Sequence, residues 1–203
     1  MAKSTFVIAI AGHSGAGKST IIEKLAAKLD NAIVLKLDDY TSSSHYPPMK
    51  TWIENGANPN EYLTPKFAAD IQTLKQGESI IHPESMQEIS PAGFLIIEEP
   101  FGREREVMNR LIDFVVYIDV SLEIAHARKI LRKNEFLPWE DDPDLFIKNL
   151  RDHLSWYLKS GREFFLTVGN LARKDCDLVI DGTLIPDVIV DHIIVAVAER
   201  KDE

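Results

Sequence analysis

Five runs of consecutive apolar residues punctuate the chain, at 5–11, 32–37, 93–98, 114–119 and 177–181. They are dominated by apolar and β-branched side chains and lack the strict alternation of a half-solvated strand, which is the pattern of strands buried on both faces of a parallel sheet. Between them, apolar residues recur every three or four positions, as on one side of a helix. The first such segment spans Lys18 to Leu29, with Ile21, Ile22, Leu25 and Leu29 on one side and Asp30-Asn31 ending it. A second starts at Pro65 behind Thr64 as N-cap, carries Phe67, Ile71 and Leu74 on one face and stops at Gly77. Further helices are expected from Ser121 to Lys133, at 143–158, at 161–173 and at 186–200 behind Pro186. Strands alternating with helices predict an α/β fold with a central five-stranded parallel sheet, and 203 residues with 45% hydrophobic content suit one domain over 1–203.

One stretch breaks the rhythm. From Thr41 to Thr64 the chain shows no convincing period and carries Pro47, Pro48 and Pro59 among small polar residues. Loops of this length are usually functional, so a substrate loop is expected at 41–64.

The strongest chemical signal lies between the first strand and the first helix. Gly12-His13-Ser14-Gly15-Ala16-Gly17-Lys18-Ser19 fits G-x-x-x-x-G-K-[ST] in its proper context, a β-branched strand before it and a helix start after it. Backbone N–H groups of such a turn, with the helix dipole behind them, converge on an anion, and the glycines permit the angles this needs. The expected occupant is the polyphosphate of a nucleotide held by residues 12–20. Lys18 is expected to reach the outer phosphates, the Ser19 hydroxyl to ligate magnesium, and Thr20 to meet an inner phosphate.

Composition narrows the partners. A formal net charge of −9 disfavours a nucleic-acid backbone and leaves an anionic nucleotide to local cations. Every arginine lies at position 103 or later, so any guanidinium clamp comes from the second half of the chain. A single cysteine, Cys176, cannot form an internal disulfide, and the chain shows neither a signal-peptide pattern nor a bilayer-spanning run; a soluble protein of the reducing cytoplasm, without a membrane, is expected.

Carboxylates stand where ligands bind in open α/β sheets, at strand ends. Leu37-Asp38-Asp39-Tyr40 closes the second strand. Asp38 is placed to accept the proton of an acceptor hydroxyl, Asp39 is the weaker candidate, and Tyr40 either stacks on a substrate ring or closes the core. The third strand delivers Glu98-Glu99, the Walker B arrangement, with Glu98 as the group that serves magnesium or orients the acceptor. Phe101-Gly102-Arg103-Glu104-Arg105 follows at once, its cations either near that edge or on the surface. Arg128 and Arg132, four apart on the helix from Ser121, share a face opposite Ile124, Ala127 and Leu131 and are expected to clamp the transferring phosphates from a lid at 128–145.

Phosphate loop, Asp-Asp-Tyr, Glu-Glu-Pro and Ala127-Arg128-Lys129-Ile130-Leu131-Arg132, in this order, resemble the uridine kinase-like branch of the P-loop kinases, over nearly the whole chain. The resemblance implies a three-layer P-loop NTPase with helices on both faces of the five-stranded sheet plus a helical lid, and an ATP- and Mg2+-dependent kinase acting on a hydroxyl of a nucleoside or sugar-like alcohol. It implies Asp38 as base, Glu98 as the acid after the third strand, and Arg128 and Arg132 as lid arginines. Asn58-Pro59-Asn60-Glu61-Tyr62 is similar to the family's substrate-loop segment, and Asp181-Gly182-Thr183-Leu184-Ile185-Pro186 resembles the loop near the adenine. Where the family carries acids around its proline, Ala57, Asn58 and Asn60 stand here, and Ile81-His82-Pro83 supplies a histidine without an aromatic. Two readings from other classes stay open, a nucleotide-dependent switch and a degenerate kinase that only binds nucleotide, as does a homo-oligomer.

Overall fold

The computed structural model describes residues 5–136 and 142–202. Its core is a sheet of five parallel strands in the order β2-β5-β1-β6-β7: β1 (Phe6–Gly12), β2 (Ala32–Leu35), β5 (Phe94–Glu98), β6 (Phe114–Asp119) and β7 (Leu178–Asp181). A separate antiparallel hairpin pairs β3 (Ile80–Ile81) with β4 (Glu88–Ile89). The five predicted strands are all present. The hairpin was not predicted, because two residues per strand are too few to show a period.

Period-two alternation sorts the sheet's side chains into two cores. On one face Val7, Ala9, Ala11, Leu95, Ile97, Val115 and Tyr117 pack with Phe67, Ile71 and Leu74 of α3 (Pro65–Lys75) and Ala172 of α7 (Arg162–Lys174). On the other, Ile8, Ile10, Ile96, Val116 and Ile118 pack with Ile21, Ile22 and Leu25 of α1 (Lys18–Lys28) and Ile189, Val190 and Ile193 of α8 (Pro186–Asp202). Each fully buried aliphatic side chain contributes about 1.5–3 kcal/mol. A third cluster joins Trp52 of α2 (Met49–Glu54) to Ala57, Phe101 and Val168.

Several local expectations are corrected. The second strand stops at Leu35, and Leu37–Ser43 winds into a 3-10 turn. The 41–64 loop is not structureless; it holds α2 and a short 3-10 turn at Pro59–Glu61, and its ends are pinned by His45 and Leu63, which exchange backbone hydrogen bonds of 2.8 and 2.9 Å. Thr64 occupies the N-cap of α3 but does not cap with its side chain. The helix expected at 143–158 is α6 (Pro143–Trp156), which passes through one π turn at Tyr157–Gly161 into α7 without a break.

The largest correction concerns α5 (Leu122–Phe136). Ile124 and Leu131, expected to pack, are 40% and 67% exposed, while Leu122 and Ala125 are buried. The face that packs is the one that brings Ala125 into the core, and its carbonyl lies so close to the phosphate loop that a Cβ on Gly15 would come within 2.1 Å of it. Among the described residues no helix is long and apolar enough to cross a membrane.

Leu25, fully buried between α1 and the sheet, gives a direct test of this packing. Leu25→Ala is expected to lower unfolding free energy by about 2–5 kcal/mol in urea denaturation.

Candidate active site

β1 runs into the phosphate loop at Gly12, and α1 leaves it at Lys18. Gly15 and Gly17 adopt φ of 93° and 102°, left-handed values that suit glycine. The turn is closed by Ala16 N–H donating to the His13 carbonyl at 2.9 Å. Ala16 itself is buried against the core, so of the loop residues expected at the nucleotide it contributes shape rather than a side chain. The Lys18 ammonium donates to the carbonyls of Gly12 at 3.0 Å and His13 at 3.1 Å, and lies 3.3 Å from Glu98 Oε1. Glu98 stands there because β5 pairs beside β1 in a register that sets it opposite Ile10.

Two cavities open over this point. A small one of about 140 Å³ is walled by Ser14, Gly15, Gly17, Lys18, Ser19, Thr20, Asp38, Glu98 and Arg132. A larger one of about 330 Å³ is walled by Gly12, His13, Asp38, Glu98 and Thr64, by the rings of Tyr46, Tyr62, Phe101, Phe164 and Phe165, and by Arg105. Ser14, Lys18, Asp38 and Glu98 line both. A polar slot floored by a glycine-rich turn and a lysine suits a polyphosphate, and the larger chamber suits a second, mostly apolar molecule. Ser19 and Glu98 face the same slot. Among the described residues no three His, Cys, Asp or Glu side chains gather as a metal cage.

The structure redistributes several expected roles. Tyr40, one of the expected substrate contacts, is fully buried, donates its hydroxyl to Asp70 Oδ2 at 3.0 Å and packs edge-on against Phe67; it lies beneath the turn and lines neither cavity. Burial, with Asp70 second, holds its phenol well above the ordinary value. Asp39 pairs with His82 Nε2 at 3.3 Å, so of the two aspartates only Asp38 lines the cavities. Arg132 reaches the phosphate slot, whereas Arg128 donates to the carbonyls of Ala16 at 3.3 Å and Gly182 at 3.0 Å, tying the phosphate loop to the loop after β7. That loop is folded on itself by Thr183, whose N–H and hydroxyl both bond Asp181 Oδ1. Of the lid expected at 128–145, residues 137–141 lie outside the described residues, as does the side chain of Lys133. Arg103 lines neither cavity and bonds Asp177 Oδ2 at 2.6 Å.

Of the cations expected near the edge after the third strand, Arg105 is at the site, but its partner was not anticipated. Glu99 and Arg105 form a fully buried ion pair, Arg105 bonding also to the Tyr62 carbonyl at 2.8 Å and the Thr64 hydroxyl at 2.7 Å. Burial pushes the Glu99 carboxyl above its ordinary value, and Arg105 draws it back. Phe164, Phe165 and Val168 of α7 wall the chamber; a glycine inside a helical pattern, Gly169, is the one signal that marked this helix for a close contact. A Cβ at Gly169 would come within 2.3 Å of His13 Cε1. His13, expected at the nucleotide, turns its ring toward α7 and the larger chamber, with Nε2 3.3 Å from the Tyr117 hydroxyl. Asn58 and Asn60, standing where acids were expected, fold the loop: Asn58 Oδ1 accepts from Asn60 N–H at 3.0 Å, and Asn60 Oδ1 accepts from Glu106 N–H at 2.8 Å at the start of α4 (Glu106–Asn109).

The profile described as the Phosphoribulokinase / Uridine kinase family matches residues 7–135, well over half of the chain. The chain belongs to this family. A uridine kinase of Brevibacillus brevis is 29% identical over 143 residues, 64% of this chain and 66% of that protein. A phosphoribulokinase of Synechocystis sp. is 29% identical over 137 residues, 62% of this chain and 41% of that one. In fold, a sugar kinase of Janibacter sp. superposes with a TM-score of 0.55 at 16% identity, covering 96% of this chain and 95% of the other. This family member is a P-loop nucleotide-binding phosphotransferase acting on a small molecule.

Two outcomes test the geometry. Gly15→Ala forces a Cβ into the Ala125 carbonyl at a φ unsuited to alanine, so it is expected to abolish the calorimetric heat of ATP binding and to cost more than about 2 kcal/mol in thermal unfolding. Burial, then the Lys18 charge, lowers the His13 pKa below 6.5. As pH falls through 6.5 the unfolded chain takes up a proton that the folded state resists, so unfolding free energy drops with acidification. Urea midpoints at pH 7 and pH 5 are expected to differ less in His13→Gln than in the wild type.

Proposed function

We propose that the protein transfers the γ-phosphoryl group of ATP to a hydroxyl of an uncharged, ring-bearing small molecule, a nucleoside or a related sugar-like alcohol. The observation that carries this reading is the meeting of the polar slot and the aromatic chamber at Ser14, Lys18, Asp38 and Glu98. A nucleotide-dependent switch has no use for a second enclosed chamber at its phosphates; a phosphotransferase needs one.

In this reading Asp38 takes up the proton of the acceptor hydroxyl while that oxygen bonds to the γ-phosphorus. The bond from phosphorus to the β–γ bridging oxygen breaks, and ADP leaves with the electron pair. The loop N–H groups and Lys18 hold the outer phosphates, and Arg132 meets the negative charge on the transferred group. Ser19 and Glu98 would hold magnesium, which when bound neutralises phosphate charge. Arg128 acts by fixing the phosphate loop against the 181–186 loop, beside which the adenine would sit.

The chamber's charges argue for an uncharged acceptor. Among the described residues its cationic side chains are Lys18, engaged by two carbonyls and Glu98, and Arg105, engaged by Glu99, Tyr62 and Thr64. A sugar phosphate would bring a dianion beside Asp38 and Glu98 with no spare guanidinium to receive it. Five rings offer instead a flat apolar surface on which a planar group can stack.

Asp38→Asn is expected to lower kcat for uridine phosphorylation by about 10²–10⁴-fold while the ATP Kd stays within about twofold of wild type. Coupled ADP formation and calorimetry read the two quantities; an unchanged kcat removes Asp38 from the mechanism.

A further inference from the structure

Glu99 lines neither cavity and is wholly shielded from solvent, yet it neighbours the acid at the reacting centre. Its partner Arg105 is 1% exposed and makes four hydrogen bonds. Nε donates to Glu99 Oε1 at 3.2 Å, Nη2 donates to Glu99 Oε2, and Nη1 donates to the Tyr62 carbonyl at 2.8 Å and the Thr64 hydroxyl at 2.7 Å. Glu99 Oε1 also accepts from Phe101 N–H at 3.2 Å. One guanidinium therefore joins three pieces of chain: the end of β5, the segment that carries Phe101, and the closing end of the 41–64 loop.

Each joined piece presents a ring to the chamber or stands beside a reacting group. Tyr62 lies 5.0 Å from Phe101 and 5.1 Å from Trp52, centroid to centroid, so its ring moves with the wall. A buried ion pair is a poor source of stability, since desolvation offsets most of the attraction and apolar replacements are often no less stable. A fork of this geometry is well suited to fixing where three segments sit relative to one another.

Resting on the kinase reading above, we infer that Glu99 and Arg105 are positioning residues for the acceptor: they set the distance between the Tyr62–Phe101 wall and the Asp38–Glu98 edge, and so govern acceptor binding independently of ATP. Glu99 acts through Arg105, without touching either substrate.

The test compares Glu99→Gln, which keeps shape and the acceptor for Phe101 N–H while removing the charge, with Thr64→Val. Thr64 caps α3 without its side chain, so the valine variant removes a bond to Arg105 and no helix cap. With uridine as acceptor, Glu99→Gln and Thr64→Val are expected to raise the uridine KM at least about tenfold and about threefold, with ATP KM unchanged. Amide hydrogen exchange is expected to quicken over 58–64 and 99–105 in Glu99→Gln while that of 12–19 stays as in the wild type.

A folded Glu99→Gln with unaltered uridine KM and unaltered exchange overturns the inference, as does a parallel rise in ATP KM. Should Glu99→Gln fail to fold, an unaltered uridine KM in Thr64→Val overturns it. Wild type that binds ATP but does not phosphorylate uridine counts against the nucleoside reading alone, and the exchange pattern then decides the positioning role: confined to the two segments supports it, spread over the whole chain overturns it.

Discussion

A single ammonium group organises the catalytic edge. Lys18 Nζ is gathered by two loop carbonyls and one carboxylate, and each of those contacts presupposes a different level of structure. The carbonyls of Gly12 and His13 point inward because the loop turns back on itself and its glycines take left-handed angles. Glu98 arrives because β5 is β1's neighbour in the sheet, with parallel register. Lys18 also begins α1, whose apolar side anchors it to the sheet through Ile21, Ile22 and Leu25. The charge is thus held by secondary structure at both ends and is set where the two cavities meet.

Charge is arranged locally in a chain whose net balance is strongly negative. Guanidinium groups carry different tasks according to what surrounds them. Arg105 is spent on a buried carboxylate, Arg103 on Asp177 at the far side of β6, and Arg128 on two carbonyls, which leaves Arg132 facing the phosphate slot. The i,i+4 spacing of Arg128 and Arg132 put them on one helix face, as expected, but Arg128 bonds two carbonyls while Arg132 lines the slot. Spacing alone carries no information about which partner lies across the gap.

What was legible in the sequence follows the range of the interactions. The five strands, the phosphate loop and α1 are encoded by runs of adjacent residues, and they stand where the apolar pattern put them. The wall of the acceptor chamber was legible only in part: Tyr46 and Tyr62 lie in the expected 41–64 loop, but Phe101 and the α7 residues Phe164 and Phe165 come from distant segments with no local pattern that points to that loop. The packed face of α5 was misjudged for a related reason. Hydropathy favoured Ile124 and Leu131, but the face that meets the core carries Leu122 and Ala125, and the Ala125 backbone runs so close to the loop that position 15 has no room for a Cβ. Asn58 and Asn60 likewise looked like lost acids and are in fact the residues that fold the loop.

The displaced expectations around Asp38 explain how an exposed acid can be held in place. Asp38 sits in a short 3-10 turn, too brief to be rigid on hydrogen bonds of its own. Its two following neighbours are both anchored below it: Asp39 to His82 of the hairpin, and Tyr40 to Asp70 of α3, with Lys66 pairing Asp70 in turn. Ser85 N–H donates to His82 Nδ1 at 3.2 Å, which leaves Nε2 as the protonated nitrogen facing Asp39. The small hairpin and α3 thus grip the turn from two sides. In the proposed reaction Asp38 must meet a hydroxyl proton at a fixed distance, which calls for a fixed backbone more than a fixed side chain, and in this fold the residues that hold that backbone line neither cavity.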